Sequence, residues 1–133
     1  MEYGAGESAW RMIPQAPAPV LAKRFRGGGQ VVPFTFEGQE GWLAIIHEVA
    51  YFGDRRNYEH RFVFLDHGFV ITAVTQPFAL REPRAIEFAA GLATVGERII
   101  VSFGVRDCEA WLAEMPAADV RRALTRVVVA PSA

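Results

Sequence analysis

Residues 41–49 read GWLAIIHEV, an apolar run that predicts a buried β-strand but ends in a base and an acid. Residues 43–46 and residues 99–101 would be apolar on both faces of a strand, so both need cover above and below. Consecutive residues of a strand point to opposite faces, so His47 and Glu48 can face one site together only where the strand ends or bulges.

β-rich runs recur along the chain at intervals of about ten residues, a rhythm typical of an all-β antiparallel meander. Turn sequences rich in Gly, Asp and Asn separate the runs, and two of these connections are predicted to be hairpins. The runs comprise residues 20–25, 30–34, 42–52, 58–65, 70–78, 86–95 and 98–105.

Stacked sheets arranged around an axis, as in β-propellers, cover both faces of each strand. A propeller blade takes roughly 40–45 residues, so the chain after Val20 supplies between two and three blades. We therefore predict an all-β fold, a partial β-propeller of about two to three antiparallel blades. The domain is expected to span residues 20–133, preceded by an extended leader or linker over residues 1–19.

The tail of the sequence predicts one more strand and then a short helix. Pro116 and Asp119 mark the start of this helix, which is expected to end by about Arg126. Its apolar side chains would fall on one side and pack against the outside of the last blade. These side chains are Val120, Leu124 and Val127.

Composition narrows the class of protein further. The net charge is −1 and no block of Lys and Arg stands out, which argues against a nucleic-acid partner. The first ten residues lack a signal-peptide pattern, and no apolar stretch reaches membrane-spanning length, so a cytoplasmic protein with no membrane partner is predicted. A single cysteine, Cys108, excludes an internal disulfide framework and is expected to be a small buried apolar residue.

Ionisable residues cluster where the predicted strands begin or end. His47 and Glu48 close one strand, residues 59–61 (Glu-His-Arg) open the next, Glu87 stands near the start of a third and Asp107 follows a fourth. In a propeller, strand ends of one sense gather at the mouth of the central channel. We therefore predict a polar pocket at that mouth.

Each of these residues also has a structural interpretation. His47 can be a hydrogen-bonded histidine of the core, and Glu48, Glu59 and Arg61 can form ion pairs between strands. Asp107 can cap a turn. A carboxylate in the apolar run around Glu87 must find a partner or shift its pKa.

Three catalytic or binding motifs are not supported by the residues present. His47-Glu48 does not continue as H-E-x-x-H, since residue 51 is Tyr and the segment predicts a strand. Ser102 lies inside a predicted strand and not at a nucleophile elbow. The glycines 27–29 precede a strand and not a helix, so they do not form a phosphate-binding loop. We expect no metal and no cofactor.

From Gly27 to about Leu124, the order of motifs resembles the C-terminal half of the five-bladed propellers of the β-mannoside phosphorylases, glycoside hydrolase family 130. It also resembles related propeller domains of bacterial glycosyltransferase-type proteins. The motifs are a Gly-rich turn before QVVPF, then GWLAIIHEV, a strand from Tyr58 to Asp66, TQPF, IEFAAGL and FGVRDCEAWLAEM before a short helix. The resemblance implies that His47 helps to hold inorganic phosphate and that Asp107 lies beside the sugar.

Several residues depart from the phosphorylase pattern. Glu48 stands where a glycine is usual, and it would repel phosphate unless it faces away or pairs with Arg61 or Arg26. His60 and Arg61 replace small apolar residues, which favours the glycosyltransferase-associated relatives. The expected sugar-binding residues are His47, Glu48, His60, Arg61, Glu87 and Asp107, and the expected phosphate-binding residues are His47, Arg26 and Arg61.

The general acid of that family belongs to its N-terminal blades, to which nothing in this chain corresponds. The resemblance therefore implies half a site, no catalytic residue and no activity of the chain alone. The predicted function is that of the C-terminal part of a glycosyltransferase-like or glycoside phosphorylase-like protein, binding a sugar or glycan and phosphate or a phosphorylated sugar. The alternative is a non-catalytic glycan-binding or interaction domain. Open blade faces predict association with a second copy or a complementary propeller half.

Overall fold

The computed structural model describes residues 2–3, 10–11, 17–83 and 85–128. In chain order the elements are β1 (Glu2–Tyr3), β2 (Trp10–Arg11), a 3₁₀ helix (Val20–Arg24), β3 (Arg26–Gly27), β4 (Val32–Phe36), β5 (Gln39–Phe52), β6 (Arg55–Leu65), β7 (Ile71–Val74), β8 (Glu87–Val95), β9 (Arg98–Val105), β10 (Glu109–Pro116), α1 (Ala117–Ala123) and β11 (Thr125–Arg126).

The first of the two main sheets is built around the long hairpin of β5 and β6, which pairs from Trp42 opposite Leu65 to Phe52 opposite Arg55. On the other edge of β5, β4 pairs with residues 39–43 and β3 pairs with residues 46–47. β7 adds to β6, and β11 adds to β7. The tip of the β5–β6 hairpin, residues 48–59, extends beyond the residues of β5 that pair with β3. We call this tip the ribbon.

The second main sheet is the antiparallel meander β8–β9–β10. Burial alternates along β9, because one face of this sheet packs against the first sheet and the other does not. The core between the sheets takes aromatic and branched side chains from both, including Leu43, Phe64, Leu92 and Val101, together with Ala117 and Val120 of α1.

The predicted all-β antiparallel architecture with one short C-terminal helix is confirmed. Both main sheets are open across the described residues, and each remains a separate layer. α1 falls within the predicted range, and Val120 and Leu124 are buried as expected. Val127 lies after β11 and is not on the helix.

Further expectations are wrong. His47 and Glu48 do not close a strand, because β5 continues to Phe52, and residues 59–61 lie inside β6 and not at its start. Residues 20–25 do not form a strand: the Ala22 N–H donates to the Pro19 carbonyl and the Phe25 N–H to the Ala22 carbonyl, so the chain turns as a 3₁₀ helix. Cys108 is exposed and not buried, because it lies in the tight turn between β9 and β10, where Arg106 and Asp107 have positive φ angles. Most of the predicted leader, residues 1–19, lies outside the described residues.

Candidate functional site

A buried pair of histidines lies on the inner face of the first sheet. His47 of β5 and His60 of β6 are directly opposite each other in the antiparallel register, so their side chains share one face. Both are buried, and the second sheet supplies Glu87 and Phe88 as their neighbours. The structure therefore brings together three of the predicted site residues, His47, His60 and Glu87, as a cluster between the sheets.

Glu87 anchors the chain segment that precedes β8. Its carboxylate is fully buried and accepts three backbone hydrogen bonds, from the N–H groups of Leu80 at 2.8 Å, Arg81 at 2.7 Å and Glu82 at 2.7 Å. Three converging amide donors compensate a carboxylate for the loss of water. The partner expected for a carboxylate in an apolar run is thus a set of backbone N–H groups.

His60 is fully buried, and Nε2 of its ring lies 3.5 Å from Oε1 of Glu87. Neither ring nitrogen has a hydrogen-bond partner among the described residues. Burial lowers the pKa of His60, and Glu87 opposes this shift only in part. The ring is therefore neutral near pH 7, packed against Phe78 at a centroid distance of 6.1 Å.

His47 lies between two aromatic rings, with its centroid 5.0 Å from that of Tyr58 and 5.4 Å from that of Phe88. Burial lowers the pKa of His47, and the nearby Arg26 guanidinium lowers it further. Arg26 is also its register partner on β3. The neutral imidazole of His47 packs against the Tyr58 ring. It lies beneath the surface to which Arg26 contributes.

Glu48 and Arg61 lie on the opposite face of the same two strands. Their side chains form an ion pair, Nε to Oε1 at 2.7 Å, each about one-sixth exposed. Arg61 also donates from Nη1 to the Thr75 carbonyl at 3.1 Å. The expected pairing of Glu48 with Arg61 is thus present as a link between strands, away from the histidine face.

Asp107 occupies the turn between β9 and β10, with a φ of 54° and an exposed side chain. The register places Val105 opposite Glu87, and the Arg106 N–H donates to the Ile86 carbonyl at 2.9 Å. Asp107 therefore lies at the same end of the second sheet as Glu87, outside the buried cluster.

A basic groove of about 540 Å³ lies where residues 23–26 face the ribbon. The inward face of β5 passes from His47 to Val49 and Tyr51, so the groove continues the histidine face outward. Its lining consists of Lys23, Arg24, Arg26, Val49, Tyr51, Arg56 and Tyr58. Of these, only Arg26 was predicted as a site residue. Two features of the sequence point to the other lining residues. Residues 47, 49 and 51 alternate onto one face of a strand, and residues 23, 24 and 56 are basic.

The charge of the basic groove has one sign. Among the residues that the structure describes, four cationic side chains line it and no carboxylate does. Within residues 17–83 and 85–128, none of the four forms an ion pair with an acid. Arg56 lies over the Tyr58 ring at 5.5 Å from its centroid, and Tyr51 is 69% exposed. As far as the described residues show, the groove therefore presents uncompensated positive charge beside the exposed Tyr51 ring.

Among the described residues, no group of three or more His, Cys, Asp or Glu is arranged to hold a metal ion. No described helix has the length and apolar character needed to cross a membrane. Comparisons with protein-family models, curated proteins and solved structures gave no match to this chain.

Proposed function

We propose that the protein is a sugar-phosphate-binding β-domain, the C-terminal part of a carbohydrate-active protein of the glycosyltransferase or glycoside phosphorylase type. The observation that carries this proposal is the basic groove, in which four cations and two tyrosines meet and, within the described part of the chain, no carboxylate joins them. Such a lining favours a ligand that combines an anion with a polar ring.

Each part of the groove has a chemical role in this function. The guanidinium groups of Arg24, Arg26 and Arg56 present planar N–H donors that match phosphate oxygens. Tyr51, whose ring is exposed, offers an aromatic face for the C–H side of a sugar ring, and the hydroxyls of Tyr51 and Tyr58 can bind its O–H groups.

The resemblance to the phosphorylases accords with this assignment. It implied that His47 holds phosphate, and Arg26 and Arg61 were expected beside it. His47 and Arg26 are register partners and Arg26 lines the basic groove, whereas Arg61 pairs with Glu48 on the opposite face. In the proposed arrangement, Arg26 contacts the phosphate while His47 holds Tyr58 from behind. Binding is the role of this domain, and no residue of the described chain is assigned a catalytic step.

The same proposal treats β4–β7 and β8–β10 as two consecutive blades of a propeller. The first is a four-stranded antiparallel meander and the second is three-stranded. The outer face of the second sheet would then receive the next blade.

Isothermal titration calorimetry of the purified chain with glucose 1-phosphate and mannose 1-phosphate tests the proposed function. We expect one of them to bind at low ionic strength, to bind more weakly as salt is raised, and to bind at least tenfold more tightly than the uncharged sugar. Arg56→Gln should weaken binding about tenfold. The matched control is Arg122→Gln on α1, an exposed arginine outside the groove lining, which should change nothing. Equal affinity of wild type and R56Q would refute the proposed site.

A second candidate function, that of an interaction domain, is favoured by the outer face of the second sheet. Leu112 is 72% exposed there and lies beside the small residues Ser102, Gly104 and Ala110. Sheet faces of this kind pack against other sheets. Sedimentation velocity at micromolar concentration tests this second function. Association of the wild-type chain that Leu112→Glu abolishes would support it. A wild-type chain that sediments as a monomer, like L112E, would exclude it.

A further inference from the structure

A second groove, of about 520 Å³, lies on the other side of the ribbon. Arg56 lines both grooves, and Arg55 and Arg106 line only the second. The segment held by Glu87 forms part of its wall through Glu82. The two grooves therefore meet at one arginine, so a ligand of the basic groove can extend into the second groove.

The positive charge of the second groove is concentrated on the ribbon. Arg106 is neutralised there by ion pairs with Glu82 and with Glu109. Arg55 and Arg56 have no such acid partner among the described residues. The unpaired cations thus lie at the junction of the grooves, which is where a second anionic group of a bound ligand would be placed.

The far wall of the second groove is apolar. Pro83, Ala85 and Ile86 form it, and the Tyr58 N–H donates to the Ala85 carbonyl at 3.2 Å, so this wall is fixed to the ribbon. Sites for organic ligands characteristically combine such apolar surface with a few polar groups. The second groove accordingly suits an organic group attached to the second phosphate.

From these observations we infer that the ligand is a sugar diphosphate ester. Its sugar lies against the exposed Tyr51 ring, its diphosphate crosses Arg56, and its remaining organic group occupies the second groove beside Arg55. The planar guanidinium of Arg56, with five N–H donors, can serve oxygens of both phosphates. This inference rests on the proposed function, because it extends the ligand of the basic groove.

Two sources supply this chemistry, a nucleoside diphosphate sugar and a prenyl diphosphate sugar. Calorimetry with glucose 1-phosphate, uridine diphosphate glucose and geranyl diphosphate glucose distinguishes them. We expect at least one of the two diphosphates to bind about tenfold more tightly than glucose 1-phosphate, and the tighter one identifies the organic group. If neither binds more tightly than glucose 1-phosphate, the inference is wrong, while binding of glucose 1-phosphate itself still supports the proposed function.

Two variants separate the grooves. Arg55→Gln should weaken the diphosphate about tenfold and leave glucose 1-phosphate unchanged, whereas Arg24→Gln should weaken both. Both arginines are exposed, and unchanged urea midpoints will show that the variants fold. Loss of glucose 1-phosphate binding in R55Q, or no effect of R55Q on either ligand, would overturn the inference. Absence of binding of any probe to the wild-type chain would overturn the proposed function with it.

Discussion

Nε2 of His60 and Oε1 of Glu87 lie 3.5 Å apart, and both side chains are completely buried. They belong to different sheets, so the pair spans the interface between β6 and β8. Because backbone amides already satisfy the carboxylate, the histidine can stay neutral beside it. The arrangement places two polar side chains side by side between layers whose other contacts are mostly apolar.

Glu87→Gln should destabilise the fold by about 2–3 kcal/mol. The carboxylate accepts three N–H donors with two oxygens, and an amide turns one acceptor into a donor that faces a backbone N–H. Urea unfolding measures the change. Glu114→Gln is the matched control, since Glu114 is exposed and pairs only with Arg98 at the surface, and it should change stability by less than about 0.5 kcal/mol. Similar stabilities of E87Q and E114Q would contradict the anchoring role.

The free energy of unfolding should fall as the pH drops below about 6.5, the reference pKa of histidine. The folded-state pKa values of His47 and His60 are lowered, so the unfolded chain takes up protons first. Stability is then complete above pH 6.5 and is lost towards the lower folded-state pKa, by at most about 1.4 kcal/mol per pH unit for each histidine.

Urea unfolding between pH 5 and pH 8 measures this dependence. His60→Gln should reduce the slope, and His67→Gln should leave it unchanged because His67 is exposed in the turn after β6. A wild-type stability that is flat over this range would show that the two buried histidines are protonated as readily in the fold as in the unfolded chain.

Gly41→Ala should cost about 1–3 kcal/mol through overpacking. A Cβ at Gly41 would meet the Leu65 carbonyl oxygen and lie 2.7 Å from Cζ of Phe64, a ring in the centre of the core. A Cβ at Gly27 would meet nothing within 4 Å, so Gly27→Ala should be nearly neutral. Thermal unfolding of both variants tests the contrast, and equal melting temperatures would count against the close packing of β5 on β6.

The Glu48–Arg61 pair should show a coupling energy of about 1 kcal/mol in a double-mutant cycle with E48Q and R61Q. Partial burial reduces solvent screening of this pair. The comparison pair is Arg126–Glu37, with a similar separation of 3.0 Å but side chains 48% and 53% exposed, and its coupling should be near zero. Equal coupling in the two cycles would mean that burial does not strengthen the inner pair.

Most of the strands could be predicted from sequence because their signals are local. The β-rich run of residues 98–105 and the turn glycines at 38, 53 and 96, all with positive φ, specify hairpins without reference to the rest of the chain. The prediction for residues 20–25 was wrong because so short a run shows no periodicity that separates strand from helix. In the structure, the Pro19 carbonyl accepts a hydrogen bond from the Ala22 N–H and begins a 3₁₀ turn.

The candidate site was less predictable because it depends on contacts between distant segments. His47 and Glu87 could be singled out as polar residues in apolar runs. The basic groove requires residues 23–26 to lie against residues 49–58, and that proximity follows from β3 pairing with β5. The amide donors to Glu87 likewise come from an irregular segment, for which no periodic pattern exists.

The ribbon has a consequence for the dynamics of the protein. Residues 48–52 and 55–59 pair with each other at the end of a hairpin, and a two-stranded antiparallel pair is only marginally stable in water. Its amides should therefore exchange with solvent deuterium through local opening, well before those of β9. A ligand that joins Arg24 or Arg26 to Arg56 would tie the ribbon tip to residues 23–26. Slowed deuterium uptake there would then report occupancy of the groove, even for ligands too weak for calorimetry.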